Sequence, residues 1–95
     1  MKITENERIY SALLEDKCDW EAFYGTADLI ENKLKIQFHQ KIDDFDSKYW
    51  DFKFLNKEFI LHYHEMTEEL DIFTDKKNGK EILKQLVNKL YKTNK

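Results

Sequence analysis

Hydrophobic and polar residues alternate along much of the middle of the chain. In "YWDFKFL", Trp50, Phe52 and Phe54 alternate with polar side chains, and "LKIQFHQKI", "NKEFILHYHEM" and "ELDIFT" show the same pattern. Successive side chains of a β-strand point to opposite faces, so a period of two predicts strands with one buried face. These four segments predict four strands. A less regular strand is predicted before them, over about 21–30.

Both ends of the chain change to helical spacing. Thr4 and Glu7 in "TENERIYSALLEDK" have the spacing of a capping box and precede an apolar stripe, which predicts a helix over about 5–17. In "NGKEILKQLVNKLYK" the large apolar residues fall on one side of a helix over about 79–92. Asn78 is the predicted N-cap of this second helix.

The connections between the predicted strands are short, which favours antiparallel hairpins. Two-residue loops at 31–32, 56–57 and 67–68 place the large apolar side chains of the strands on one face. The expected fold class is α+β: an antiparallel meander sheet of four to five strands, with the N-terminal and C-terminal helices packed on one face in the order α-β-β-β-β-β-α. A length of 95 residues predicts a single domain over 1–95.

Charge and composition exclude several classes of partner. The formal net charge is −3 and both signs are interleaved, whereas a nucleic-acid-binding or polybasic membrane-surface protein needs a strong positive field. The N-terminus has no apolar signal region, and no apolar run approaches the roughly 20 residues of a membrane span. Cys18 is alone, so neither an internal disulfide nor a cysteine zinc site is expected. We therefore expect a cytoplasmic protein without a cofactor, a membrane partner or a nucleic-acid partner.

Two histidines in "FILHYHEM", His62 and His64, should point to the face of the sheet that the helices leave uncovered. The predicted registers put Asp51 opposite His62 and Asp71 opposite His64, and one permitted alignment brings His39 beside Asp51. Four interpretations follow: a solvated face with paired charges, a transition-metal site from the three histidines and a carboxylate, a His–Asp acid/base dyad, or a pH-sensitive contact with a partner. The first is the preferred interpretation of the histidines themselves.

Aromatic and apolar side chains share this predicted face with the histidines and charges. Ile60 and Phe73 should lie diagonally across adjacent strands, close enough to form a patch. A mixture of tyrosine, histidine, apolar groups and paired charges is typical of a protein interface with a polar rim. The predicted interface residues are Tyr24, Tyr49, Asp51, Ile60, His62, His64 and Phe73.

The segment "DDFDSK" is acidic, with Asp43, Asp44 and Asp46, but it lacks the glycine and the distal glutamate of a calcium loop. It could instead meet a basic partner. We expect a small protein-binding module, immunity- or inhibitor-like in size and charge, that docks a protein partner or a second copy (a homodimer) through the uncovered face. A metal-dependent or His/Asp acid–base enzyme on the same face is the alternative, and a self-associating structural module without a ligand is a third.

Overall fold

The computed structural model describes residues 3–77 and 79–91. The elements, in chain order, are β1 (Ile3–Glu5), β2 (Ile9–Glu15), α1 (Trp20–Leu34), β3 (Gln40–Asp43), β4 (Ser47–Phe54), β5 (Lys57–His64), β6 (Glu69–Asp75) and α2 (Gly79–Tyr91). The strands form one antiparallel sheet of six strands in the order β1-β2-β6-β5-β4-β3. The predicted α+β class, with an antiparallel sheet and two helices, is confirmed. The sheet has six strands, and β3 to β6 follow one another as in the predicted meander, whereas the other neighbour of β6 is β2. Neither helix of the described chain is long and apolar enough to cross a membrane.

The predicted N-terminal helix over 5–17 is wrong, because this segment forms the β1–β2 hairpin. Its turn is built by Asn6, whose side-chain oxygen accepts hydrogen bonds from the backbone N–H of Arg8 (2.8 Å) and of Ile9 (2.9 Å). An asparagine that bonds the backbone two and three residues ahead stabilises a turn. Thr4, the predicted capping residue, lies in β1 instead.

The pattern of β2 explains why it resembles a helix. Ala12 is completely buried on the face that the helices cover, whereas Leu13 is exposed on the other face. Leu13 pairs with Asp71 and Glu15 pairs with Leu70. Leu14, between them, is therefore the extra residue of a β-bulge. Apolar residues on both faces, together with a bulge, remove the alternation and leave spacings that look helical.

The segment predicted as a first strand, 21–30, lies inside α1. Its N-cap is Asp19, whose carboxylate accepts hydrogen bonds from the N–H of Glu21 (3.1 Å) and of Ala22 (3.3 Å). Phe23, Thr26, Ala27 and Ile30 form the buried stripe. The cap and the helical spacing of Phe23, Ala27 and Ile30 are present in the sequence, and they identify this helix better than the alternation we assumed.

The loops are also displaced from their predicted positions. The loop expected at 31–32 lies within α1, and the β4–β5 turn lies at Leu55 and Asn56 rather than at 56–57. Both residues of this turn have positive φ, 52° and 67°, as a tight two-residue turn between twisted strands requires. The shift changes each cross-strand partner by two residues, so every side chain keeps its predicted face.

The strand predicted over "LKIQFHQKI" is shorter in the structure. Leu34 ends α1, Lys35 is its left-handed C-cap with φ 58°, and only the four residues of β3 pair with β4. Phe38, in the connection between α1 and β3, is buried against Trp50 and Phe52. Leu34, Ile36 and Phe38 therefore pack in or against the core without belonging to the sheet.

The C-terminal helix matches its prediction over 79–91. Its predicted cap, Asn78, and residue 92 lie outside the described residues. Both helices pack on the same face of the sheet, and their apolar stripes cover the inward side chains of the strands. The core contains Ala12, Phe23, Ala27, Ile30, Phe52, Phe59, Leu61, Tyr63, Leu70, Ile72, Leu83, Leu86, Val87 and Leu90.

Tyr63 connects the core to the segment before α1, because its buried hydroxyl donates to the carbonyl of Cys18 at 2.7 Å. We expect Tyr63→Phe to lower the free energy of unfolding by about 1–2 kcal/mol, since this carbonyl loses its donor. Burial raises the pKa of the Tyr63 phenol, so the folded chain keeps the proton at a pH where the unfolded chain loses it. Stability from this group is full below about pH 10 and falls as the pH rises through the folded-state value.

Urea unfolding of both chains between pH 7 and pH 11 measures this effect. The difference between wild type and Tyr63→Phe should be constant up to about pH 10 and should shrink above it. An equal pH dependence of the two chains would contradict a role for Tyr63 in alkaline unfolding.

Candidate functional site

The face of the sheet that points away from α1 and α2, here called the open face, brings several predicted residues together. The ring of Tyr49 stacks on His62 with 4.7 Å between the centroids, and Phe73 meets the same imidazole edge-on at 5.7 Å. Ile60 lies directly opposite Phe73 on β5 and β6. All four side chains are partly exposed. These residues, Tyr49, Ile60, His62 and Phe73, are called the central patch.

A continuous row of paired residues crosses five strands through this patch. The cross-strand partners in order are Leu13, Asp71, His62, Tyr49 and Ile42. Leu13 is 41% exposed and Ile42 is 45% exposed, so the row has an apolar residue at each end. Sequence reasoning missed both of them, because Leu13 was assigned to a helix and Ile42 was not assigned to either face.

The histidine and the carboxylate at the middle of the row form a half-buried pair. Nδ1 of His62 lies 2.8 Å from a carboxylate oxygen of Asp71. A carboxylate accepts hydrogen bonds, so the N–H of His62 is placed on Nδ1 and its other ring nitrogen is left for a further partner. The predicted partner of Asp71 was His64, and the partner of His62 was Asp51. Both assignments are wrong because the hairpin registers shift by two residues.

The two other histidines have separate surroundings. His64 pairs with Ser47 and Glu69, and its Nε2 lies 3.8 Å from Asp46. His39 binds Glu58 through Nε2 at 2.8 Å, on an exposed part of the surface. Within the two described ranges, 3–77 and 79–91, no three His, Cys, Asp or Glu side chains are arranged to hold a metal ion.

Asp51 lies beside His39, as one of the strand registers permitted by the sequence predicted. Its cross-strand partners are Gln40 on β3 and Ile60 on β5. The backbone N–H of His39 donates to the carbonyl of Asp51 at 3.0 Å. Burial raises the pKa of the Asp51 carboxyl; the nearby His39 lowers it and Glu58 raises it. The carboxyl is therefore held in a partly desolvated position at one side of the central patch.

A shallow depression of about 520 Å³ adjoins the central patch on this side. Ile9, Ile60 and Phe73 contribute its apolar lining. Its polar and charged lining comes from His39, Gln40, Asp51, Glu58, Thr74 and Asp75. A partly exposed apolar surface with a charged border fits contact with another macromolecule better than enclosure of a small molecule.

Tyr24 does not belong to the open face, and its predicted place there is wrong. It lies on α1, on the opposite side of the sheet, where its ring is 5.9 Å from the ring of Trp50 and 5.4 Å from the ammonium of Lys48. The error has the same origin as the missed helix, since alternation in a false strand assigned this side chain to the wrong face. The other six predicted interface residues lie on the open face.

Comparison with known families places the whole of this architecture in one family. The chain matches, over residues 2–91, the family described as "Protein of unknown function (DUF3630)". It belongs to this family. The match to DUF3630 extends over the six strands and both helices, and therefore over every residue of the open face. No curated protein and no solved structure matches the chain.

Proposed function

We propose that this DUF3630 chain is a small cytoplasmic protein-binding module, immunity- or inhibitor-like in size and charge, that docks a protein partner or a second copy through its open face. The observation that supports this most is the row of five cross-strand residues from Leu13 to Ile42, with the central patch at its middle. The row spans five of the six strands of the sheet.

The physical driving force is the burial of apolar surface that the fold leaves in contact with water. Complete burial of a side chain such as Phe or Ile contributes about 1.5–3 kcal/mol, and the partly exposed residues of the patch retain a fraction of this gain. The neighbouring charges, including Asp51 and Glu58, form a polar rim of the kind that surrounds interface cores. Contact with a second copy would be isologous, so that the patch would meet itself across a two-fold axis.

The test replaces the pair that lies opposite across β5 and β6. We expect Ile60→Glu combined with Phe73→Lys to leave the monomer folded, because the new charges face each other and attract. The variant should lose the association of wild type, since the centre of the patch becomes charged and resists desolvation. Native mass spectrometry of the purified chain detects a dimer, and quantitative pull-down from the native host detects a stoichiometric partner.

A matched control is Tyr24→Glu combined with Leu55→Lys. Both residues are exposed, at 45% and 56%, neither belongs to the open face, and the net charge change is the same as in the test variant. The control should associate as wild type does. Equal association of the test variant and wild type, or a bare monomer that captures no partner, would rule out the open face as a docking site.

A further inference from the structure

Two large apolar side chains are almost completely exposed at one end of the sheet. Phe45, in the β3–β4 turn, is 98% exposed, and Met66, in the β5–β6 turn, is 79% exposed. The turns are adjacent, because the backbone N–H of Glu65 donates to the carbonyl of Asp46 at 2.8 Å. Two neighbouring turns therefore present an apolar side chain each to solvent.

The backbone of these turns is held by hydrogen bonds that do not involve the two apolar side chains. In the first turn, the N–H of Asp44 donates to the carbonyl of Ser47 at 2.7 Å. In the second turn, the N–H of Glu68 donates to the carbonyl of His64 at 2.9 Å. The N–H of Met66 donates to the ring nitrogen Nδ1 of His64 at 3.1 Å. The phenyl ring of Phe45 thus gives the fold no buried contact area, while a partner that buries it gains the full transfer free energy.

The charge around these two residues is strongly negative. Three chain segments meet at this end of the sheet, 15–19, 43–48 and 64–69, and they are called the acidic pole. They contain nine of the 19 carboxylates of the chain but only two of its 16 lysines and arginines, a formal charge of −7 against −3 for the whole protein. The net charge of the whole chain does not reveal this asymmetry, because the three segments are far apart in the sequence.

Few charges of the acidic pole are matched within the fold. Asp43 accepts a hydrogen bond from Nε1 of Trp50 at 2.9 Å and binds Lys48 at 3.0 Å, contacts that lower the pKa of its carboxyl. Asp46 lies near His64. Among the described residues, the seven other carboxylates of the pole form no ion pair. They are Glu15, Asp16, Asp19, Asp44, Glu65, Glu68 and Glu69.

A second copy of the chain is a poor match for this surface. Two acidic poles repel each other across a two-fold axis. At the opposite end of the sheet, Lys57 binds Asp75, Lys76 binds Glu5, and Lys53 lies near Glu58, so these three lysines are already paired within the fold. Charge complementarity therefore favours a different protein with a basic surface.

We propose that the acidic pole, with Phe45 and Met66 as apolar anchors, is a docking surface for a basic protein. The partner's lysines and arginines meet the carboxylates, and a hydrophobic pocket among them receives the phenyl ring of Phe45. The carboxylates accelerate encounter, and burial of the anchors slows dissociation. This surface lies at the end of the sheet and uses no residue of the central patch, so it goes beyond the proposed function of the open face.

The test places a photo-crosslinking benzoylphenylalanine at position 45 of the full chain, expressed in the native host. The expected product is one dominant adduct with a protein of net positive charge. The captured protein is then purified, and its affinity for the uncrosslinked chain is measured by titration. We expect Phe45→Ser to weaken binding about 30-fold, the effect of removing an interface hot spot, with little change in stability.

The electrostatic part is tested by Asp44→Asn, Glu65→Gln and Glu68→Gln combined. This variant should bind with a slower association rate and a weaker dependence on salt than wild type. The matched control neutralises three carboxylates elsewhere, with Glu7→Gln, Asp28→Asn and Glu81→Gln, and should keep the wild-type salt dependence.

Each other outcome contradicts the proposal. An adduct between two copies would assign Phe45 to self-association, and an adduct with an acidic protein or with a nucleic acid would remove the electrostatic argument. The absence of any adduct, or equal affinities of wild type and Phe45→Ser, would leave the exposed phenyl ring without a docking role. The Ile60→Glu and Phe73→Lys variant should still form the adduct, which separates this surface from the open face.

Discussion

Replacing Ala12 with Asp is expected to lower the free energy of unfolding by about 3–5 kcal/mol. Ala12 is completely buried between the sheet and the helices, on the inward face of β2. An uncompensated charge in such a position costs about 3–5 kcal/mol, which approaches the whole stability expected of a domain of this size. Circular dichroism and urea unfolding measure the loss.

Leu13→Asp is the matched control for this prediction, because it introduces the same side chain at the next residue of the strand. Leu13 is 41% exposed on the open face, but it pairs with Asp71, so the free energy of unfolding should fall by about 1–2 kcal/mol, less than at Ala12. A helix over 5–17 predicts the reverse order, since Leu13 would lie on its apolar stripe and Ala12 outside it. A greater loss in Leu13→Asp would therefore contradict the β1–β2 hairpin.

The second large effect is expected at Phe59, on the inward face of β5. Phe59 is completely buried, and its ring lies 5.7 Å from Phe52 and 6.3 Å from Phe54. Phe59→Ala removes these contacts and leaves a cavity, so the free energy of unfolding should fall by about 3–5 kcal/mol. Urea unfolding followed by tryptophan fluorescence measures the change.

Ile60→Ala provides the comparison on the opposite face of the same strand. Ile60 is partly exposed on the open face, and its truncation should cost less than about 1.5 kcal/mol. Losses of similar size at Phe59 and Ile60 would show that both faces of β5 are buried in solution. That result would agree with a stable dimer through the open face, and the dependence of stability on protein concentration would identify it.

The two proposed surfaces have different physical characters. The central patch is mostly aromatic, partly buried and bordered by charges that pair with one another. The acidic pole has largely exposed anchors and mostly unmatched carboxylates. Salt should therefore weaken binding at the pole strongly and binding at the patch only slightly. The two surfaces adjoin on β5, where the rings of His62 and His64 lie 6.3 Å apart.

The sequence by itself determined the faces of β4, β5 and β6. Phe52, Phe59 and Leu61 were assigned inward and Ile60, His62 and Phe73 outward, and the structure has them so. The reason is physical: a two-residue error in register changes each partner but preserves alternation, and the period of two alone decides which face a side chain occupies. The apolar stripe of α2 could also be predicted from the sequence, because its helical period lies within one continuous segment.

Only the tertiary structure decided that the N-terminal segment forms the β1–β2 hairpin. β2 has apolar residues on both faces and a bulge, so its local pattern does not distinguish a strand from a helix. Its pairing with β6, more than 50 residues away in sequence, selects the strand. The errors at α1 and Tyr24 are of another kind, because the cap and the helical spacing of that segment are local signals in the sequence.

The candidate sites show the same division between local and non-local information. Alternation placed Tyr49, His62 and Phe73 on one face. The hydrogen bond from His62 to Asp71 depends on the position of the β5–β6 turn, which alternation does not determine. The acidic pole is more strongly non-local, because 15–19, 43–48 and 64–69 become one charged surface only when the strand ends meet. Local periodicity determines which side of an element is buried, while the cross-strand partners and the joining of distant turns are determined by packing of the whole chain.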